Sequence, residues 1–319
     1  MSPIVGNAAA QEAFTAAMAG EALHHAWLLV GPEGVGKGSF ARWAGAQLVG
    51  GGAHRDEMIA ARAHPDFRLV EREVWDKPDV LMPYDQRPEG AVPARSIRVV
   101  QIRWLRAALN TRPSLGARRA VVIDAADDLE TGGANALLKS LEEPPAGTIF
   151  LLVSHAPGRL LPTIRSRCRV LRFASLSDDG VAEVVRRQAP DLTASELAAL
   201  VAAGEGSPGR ALGFAGLDIA GLDAAIAAIA GDGDPQNARR AALGKMLGPK
   251  TAQARYEAFL GRAPAFIAAH ARIQTGPTLA DALTAHAKAR DLAGAALGLS
   301  LDAQATVWEM AGLLAGLRR

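Results

Sequence analysis

The chain has 319 residues, 49% of them hydrophobic and 21% charged, with a formal net charge of +2. That composition supports buried cores in two or three domains and excludes a largely disordered chain, while so mild a charge does not by itself mark a nucleic-acid binder. A single cysteine, Cys168, excludes an intrachain disulfide and a multi-cysteine zinc site.

In chain order, Met1 to Met18 lacks a basic start followed by a long apolar core, and no apolar run reaches membrane-spanning length. The sequence therefore reads as a soluble cytoplasmic protein without a membrane partner. Five short apolar runs follow: Trp27 to Val30, Phe67 to Val70, Ala120 to Ile123, Ile149 to Val153 and Val170 to Phe173. Continuous β-branched and leucine runs of this length predict strands buried on both faces of a parallel sheet. Between them, Ala134, Leu137, Leu138 and Leu141 make one helical stripe, which Pro144 and Pro145 end at Glu143. The segment Asp76 to Pro93, rich in proline and charge, predicts an exposed loop.

After Phe173 the strand signal stops. Ser177-Asp178-Asp179 starts a helix, and Thr193 to Glu196 is a capping box. Gly204 to Gly209 reads as a turn. The remainder is alanine-rich and helical, interrupted at Gly231 to Pro235 and at Gly248-Pro249. The reading is an α/β domain over residues 1–172, a small helical domain over 173–215 and an all-α domain over 216–319. The apolar stripe Val307, Met310, Leu314 and Leu317 suits a core or a subunit interface.

Gly31-Pro32-Glu33-Gly34-Val35-Gly36-Lys37 joins the first strand to a helix. Glycines in that setting let backbone N–H groups turn inward on a phosphate, and Lys37 would reach the outer phosphates. Gly31, Gly34, Gly36 and Lys37 are thus candidate nucleotide-binding residues. Asp124, at the end of a buried strand, is the candidate for the Mg²⁺ shell. Two features depart from a working site. Gly38 stands where a metal-binding Ser or Thr belongs, and Ser39 comes one residue late, turned by about 100°. Ala125 stands where a water-activating glutamate belongs, a loss worth about 10²–10⁴-fold in rate. Asp127 and Asp128 read as a solvated helix start.

The run Asn135 to Pro145, then Leu151 to Ser154, then Leu161 to Cys168 resembles the clamp-loader branch of the AAA+ ATPases. His24 to Trp27 and His64 to Phe67 resemble its delta-prime members in particular. The resemblance covers roughly residues 1–215. It implies a P-loop AAA+ domain with a parallel sheet, a small helical lid and an all-α C-terminal collar. It also implies a non-catalytic subunit of the bacterial DNA polymerase III clamp loader that requires no cofactor, with ATP and Mg²⁺ as conceivable ligands of a degenerate site. The partners it implies are the ATPase subunits (tau/gamma) and the delta subunit, with the sliding clamp and primer-template DNA reached through the complex. Any nucleotidyltransferase activity would belong to that complex.

The same resemblance makes Arg167 an arginine finger that acts in a neighbour's ATP site, with Ser166 and Cys168 fixing the helix start and packing beneath it. It places a sensing arginine of the lid on Gly209, with Arg210 one position late. The four cysteines that hold zinc in many members are missing from Gly50 to Pro65, which leaves His54 and His64 as expected surface residues and predicts no metal. Arg159, Arg165, Arg169 and Arg172, with Arg112, Arg118 and Arg119, form either a DNA-facing or a solvated surface. The alternative reading is an autonomous DNA-dependent ATPase that uses Ser39 and Asp127 as substitutes.

Overall fold

The computed structural model describes residues 4–20, 23–50, 52–77, 80–82, 86–88 and 90–317. The chain divides into two compact units. One comprises the residues up to Val184 together with Gly206–Gly209, and the other Val185–Glu205 with Arg210 onward.

In the first unit, helix α1 (Ala8–Ala19) leads into strand β1 (Ala26–Val30), then α2 (Lys37–Leu48), α3 (Ala53–Ala60) and β2 (Phe67–Glu71). A short hairpin, β3 (Trp75–Lys77) and β4 (Val80–Leu81), precedes α4 (Val99–Leu109), β5 (Arg119–Asp124), α5 (Thr131–Glu142), β6 (Thr148–Ser154), the single-turn α6 (Pro162–Arg165) and β7 (Arg169–Arg172). Strands β2, β5, β6, β1 and β7 lie in that order in one parallel sheet. All five predicted runs are strands of this sheet.

Alternation sorts each central strand onto two cores. Trp27 and Leu29 of β1 join Phe14, Phe40, Val122, Leu151 and Val153 on one face. Ala26, Leu28 and Val30 join Ile102, Leu105, Ile123, Leu137, Leu141 and Phe150 on the other. The first face is aromatic at its centre: Phe14 meets the Trp27 and Phe40 rings edge-on at 5.1 and 5.6 Å. The expectation of burial on both faces fails at β7, where Val170 is exposed, because β7 is an edge strand with a neighbour on one side only. The segment Asp76 to Pro93 is not wholly loop either. It contains part of the β3–β4 hairpin, pinned by the Trp75 ring between Trp104 and the Arg98 guanidinium; residues 78–79, 83–85 and 89 lie outside the described set.

Helix α5 ends at Glu142, one residue before the predicted stop, with Ala134, Leu137 and Leu141 inward. Helix α7 (Asp178–Gln188) starts at the predicted acidic pair, and the boundary between the two units falls within it.

The second unit is helical. Helix α8 (Ala194–Gly204) begins at the predicted capping box: Thr193 Oγ1 accepts from Glu196 N–H, and the Glu196 carboxylate accepts from Thr193 N–H. Helix α9 (Pro208–Gly213), whose first two residues belong to the first unit, is followed by α10 (Ile219–Asp232), α11 (Ala238–Leu247), α12 (Gln253–Ala271), α13 (Gly276–Leu299) and α14 (Ala303–Gly316). The breaks after Asp232 and Leu247 fall at the predicted Gly/Pro sites. Val307, Met310 and Leu314 are fully buried, so these three residues of the stripe are core of their own unit, while Leu317, just past the end of α14, is half-buried. None of the described helices is long and apolar enough to cross a membrane.

Candidate functional site

The glycine-rich loop sits between β1 and α2, at the carboxyl end of the sheet, where open α/β sheets place their ligands. Gly31 must be glycine: its φ is +151°, and a Cβ there would lie 2.1 Å from the Phe173 carbonyl oxygen. Gly36, also at positive φ, opens α2.

Lys37 is 2% exposed, and its ammonium is turned onto the loop itself. Nζ donates to the Gly31 carbonyl at 2.7 Å and to the Pro32 carbonyl. Burial pushes its pKa down to about 8, against the pull of the Asp124, Asp127 and Glu33 carboxylates.

Asp124 ends β5 in the predicted place. Burial raises its pKa, while the nearby Arg42 guanidinium lowers it. Its carboxylate presses on Gly38, where a Cβ would lie 2.3 Å from Asp124 Oδ2. Arg42 Nη2 lies 3.2 Å from Asp124 Oδ2 and 3.0 Å from Glu71 Oε2. Ala125 is buried beside this group.

The residues present do not fit a Mg²⁺–nucleotide as they are arranged. The space for a metal-binding hydroxyl at position 38 holds a carboxylate. A guanidinium stands beside that carboxylate, and the lysine is committed to loop carbonyls. Among the described residues no three or more His, Cys, Asp or Glu side chains converge as metal ligands.

Neither substitute weighed for an autonomous ATPase is disposed to serve one. Ser39 is exposed, on the turned-away side of α2. Asp127 accepts from Ser154 Oγ at 2.8 Å and from the His155 and Ala156 N–H groups, so it fastens the end of β6. Asp128 pairs with Arg72.

The segment Gly206–Gly209 belongs to the first unit and clasps the loop; the turn is shorter than the predicted Gly204–Gly209, since α8 runs to Gly204 and Pro208 already starts α9. Ser207 Oγ donates to the Glu33 carbonyl at 2.8 Å, and Gly209 N–H to the Gly34 carbonyl at 2.9 Å. A Cβ at residue 209 would lie 2.8 Å from Gly34 Cα, so this contact has no room for an arginine side chain. Arg210 pairs with Glu205 in the second unit.

Arg167 follows α6. Nη1 donates to the Thr163 carbonyl at 2.8 Å, Nη2 lies 2.7 Å from Glu142 Oε1, and the side chain remains 33% exposed. Ser166 does not fix the start of α6. Its hydroxyl donates back to the Thr163 carbonyl at the helix end, because Pro162 already sets the first turn. Cys168 does pack against the core, and burial pushes its pKa up to about 12, which makes the thiol inert.

Two surface expectations are corrected. His64 is buried, because its ring is drawn into the approach to β2, where Nδ1 accepts from Asp66 N–H. Arg119 is buried as well and cannot face DNA; it donates to the Ala108, Thr111 and Arg112 carbonyls. Beside it, Asp66 accepts from Ser114 and Leu115 N–H at 2.7–2.8 Å. The sequence reading overlooked Arg42, Glu71 and Glu142. Arg42 was within reach: it lies four residues after Gly38, on the same helix face.

A parallel five-stranded sheet with a glycine-rich loop after one strand and an aspartate ending another defines an α/β P-loop domain of the AAA+ type, followed here by a helical region. Within that class the chain belongs to the family described as DNA polymerase III, delta subunit, whose model matches residues 6–177. It is similar to DNA polymerase III subunit delta' of Pseudomonas aeruginosa, 38% identical over 62% of this chain and 58% of that protein. It is similar also to the subunits of the same name from Escherichia coli (33% identical, 49% of this chain, 41% of that one) and Bacillus subtilis (31%, 50% and 45%). The chain thus spans about half the length of these relatives. A solved gamma subunit-related protein of DNA polymerase III from Thermotoga maritima aligns over 97% of this chain and 99% of its own, at 16% identity and a TM-score of 0.45.

Proposed function

We propose that the chain is a non-hydrolysing clamp-loader subunit of DNA polymerase III that completes the ATP site of a neighbouring subunit with Arg167. The observation that carries this reading is a contrast within one domain. The chain's own P-loop is filled by Lys37, Asp124 and Arg42 and has Ala125 where a base belongs. Arg167 stands half-exposed at the end of a single helical turn, held by surface contacts only.

A guanidinium placed on a transferring phosphoryl group stabilises the charge that develops on it, an effect worth about 10³–10⁵ in rate. Arginine suits that task because its planar fork holds two oxygens at once. The partners in this reading are tau/gamma ATPase subunits and a delta subunit, with clamp and primer-template DNA engaged by the assembly. The domain division in this reading is 1–172, 173–215 as lid and 216–319 as collar, and the cell compartment is the cytoplasm.

The test is a loader reconstituted with Arg167→Ala. Assembly should be intact and ATP-dependent clamp loading reduced; loading at the wild-type rate would refute the role. An autonomous ATPase gains no support, since neither Ser39 nor Asp127 is disposed to replace the lost groups.

A further inference from the structure

Glu71 and Asp124 are register partners at the carboxyl ends of β2 and β5. Neighbouring strands lie about 4.8 Å apart, so two carboxylates stand side by side at the mouth of the loop. Such a pair repels unless one member takes a proton or a cation stands between them. In a P-loop site the cation is a divalent metal, held by one or two carboxylates and by phosphate.

Here a cation is already in place. Arg42 Nη2 bridges the two, 3.0 Å from Glu71 Oε2 and 3.2 Å from Asp124 Oδ2. It reaches them across Gly38, one turn earlier on the same face of α2, where a Cβ would lie 3.2 Å from Arg42 Nη1. Residue 38 without a side chain and an arginine at residue 42 therefore act as a pair: the glycine opens the space that the guanidinium and the Asp124 carboxylate share. The bridge is anchored outward as well. Glu71 also meets Arg62, which meets Glu73, which meets Arg87. The other charged or titratable groups around Asp124 are Lys37 and His155.

We propose that Arg42 is a built-in cation that takes the place of a divalent metal between Glu71 and Asp124 and closes this P-loop to metal–nucleotide. The pocket is then more than an ATP site short of catalytic groups. It is a self-neutralised element of the fold, and the residue that makes it so is a single arginine. This deepens the proposed function by naming what holds the chain's own pocket shut.

The experiment uses the full chain and thermal unfolding with a chelator, MgCl₂, MnCl₂ or Mg–ATP. Wild-type protein should melt at the same temperature in all four. Arg42→Ala should melt lower in chelator and regain stability with Mg²⁺ or Mn²⁺, as binding to the folded state requires. Adding Asp124→Asn to that variant should abolish the metal response. A wild-type protein stabilised by Mg²⁺ as strongly as Arg42→Ala, or a folded Arg42→Ala indifferent to both metals, would overturn the proposal. Should Arg42→Ala not fold, Arg42→Ala with Glu71→Gln removes one of the two repelling charges and should recover part of the lost stability; no recovery also overturns it. The readout involves no partner, so its failure leaves the role of Arg167 standing, and a failure of Arg167 leaves this cation in place.

Discussion

Arg167 Nη2 rests 2.7 Å from Glu142 Oε1, so the guanidinium proposed to serve a neighbour is held in this chain on the last residue of α5. Both side chains are partly exposed, and pairs of that kind contribute only about 0.2–1 kcal/mol. Release on the proposed docking would therefore be cheap. Glu142→Gln should change the stability of the isolated chain by no more than that amount and leave clamp loading by the assembled complex near wild type. Arg167→Lys keeps the charge but loses the fork, and should still impair loading. Urea unfolding and a loading assay on both variants check this; a Glu142→Gln complex as defective as Arg167→Lys would contradict it.

Lys37 gives a pH signature. Its folded pKa, about 8, lies below the ordinary 10.5 because of burial. The unfolded chain therefore holds the Lys37 proton more tightly than the folded chain does. The contribution of Lys37 to stability rises as pH climbs from about 8 through 10.5 and is lost as pH falls back through that window. The stability of wild type relative to Lys37→Met should thus increase across that range, as read by urea unfolding at pH 7.5 and at pH 10. A constant difference would mean that the lysine is not buried on its loop.

The His64-Pro65-Asp66-Phe67 motif is structural. Asp66 is buried, accepts two backbone N–H groups and lies 3.7 Å from the buried Arg119. Removing one partner of a buried ionic group leaves the other uncompensated, at about 3–5 kcal/mol. Asp66→Ala should lose stability on that scale, measured by urea unfolding, while a loss below 1 kcal/mol would show that water replaces the carboxylate.

The sheet was legible because a strand buried on both faces leaves a short, unbroken, β-branched apolar run, as Ala120 to Ile123 and Ile149 to Val153 do. Val170 misled for a topological reason: the run carries no sign that β7 lies at the edge. Lys37 and Asp124 were legible from spacing, yet their state was not. Nothing in the glycine spacing says that the ammonium folds back onto the Gly31 carbonyl only six residues away instead of reaching outward, or that Arg42 reaches across to Glu71, 29 residues on in another strand. Gly38 and Gly209 were visible only as departures. The structure shows each as a fitted contact, one against Asp124 and one against Gly34. His64 and Arg119 were misread because a polar residue paired in the interior has the same letter as one in water.

The most direct measurement is steady-state ATP turnover by the assembled complex, with substitutions in this chain alone. Arg167→Ala should lower turnover with assembly intact, and Lys37→Met should leave it unchanged. Turnover that survives Arg167→Ala and collapses with Lys37→Met would contradict the account.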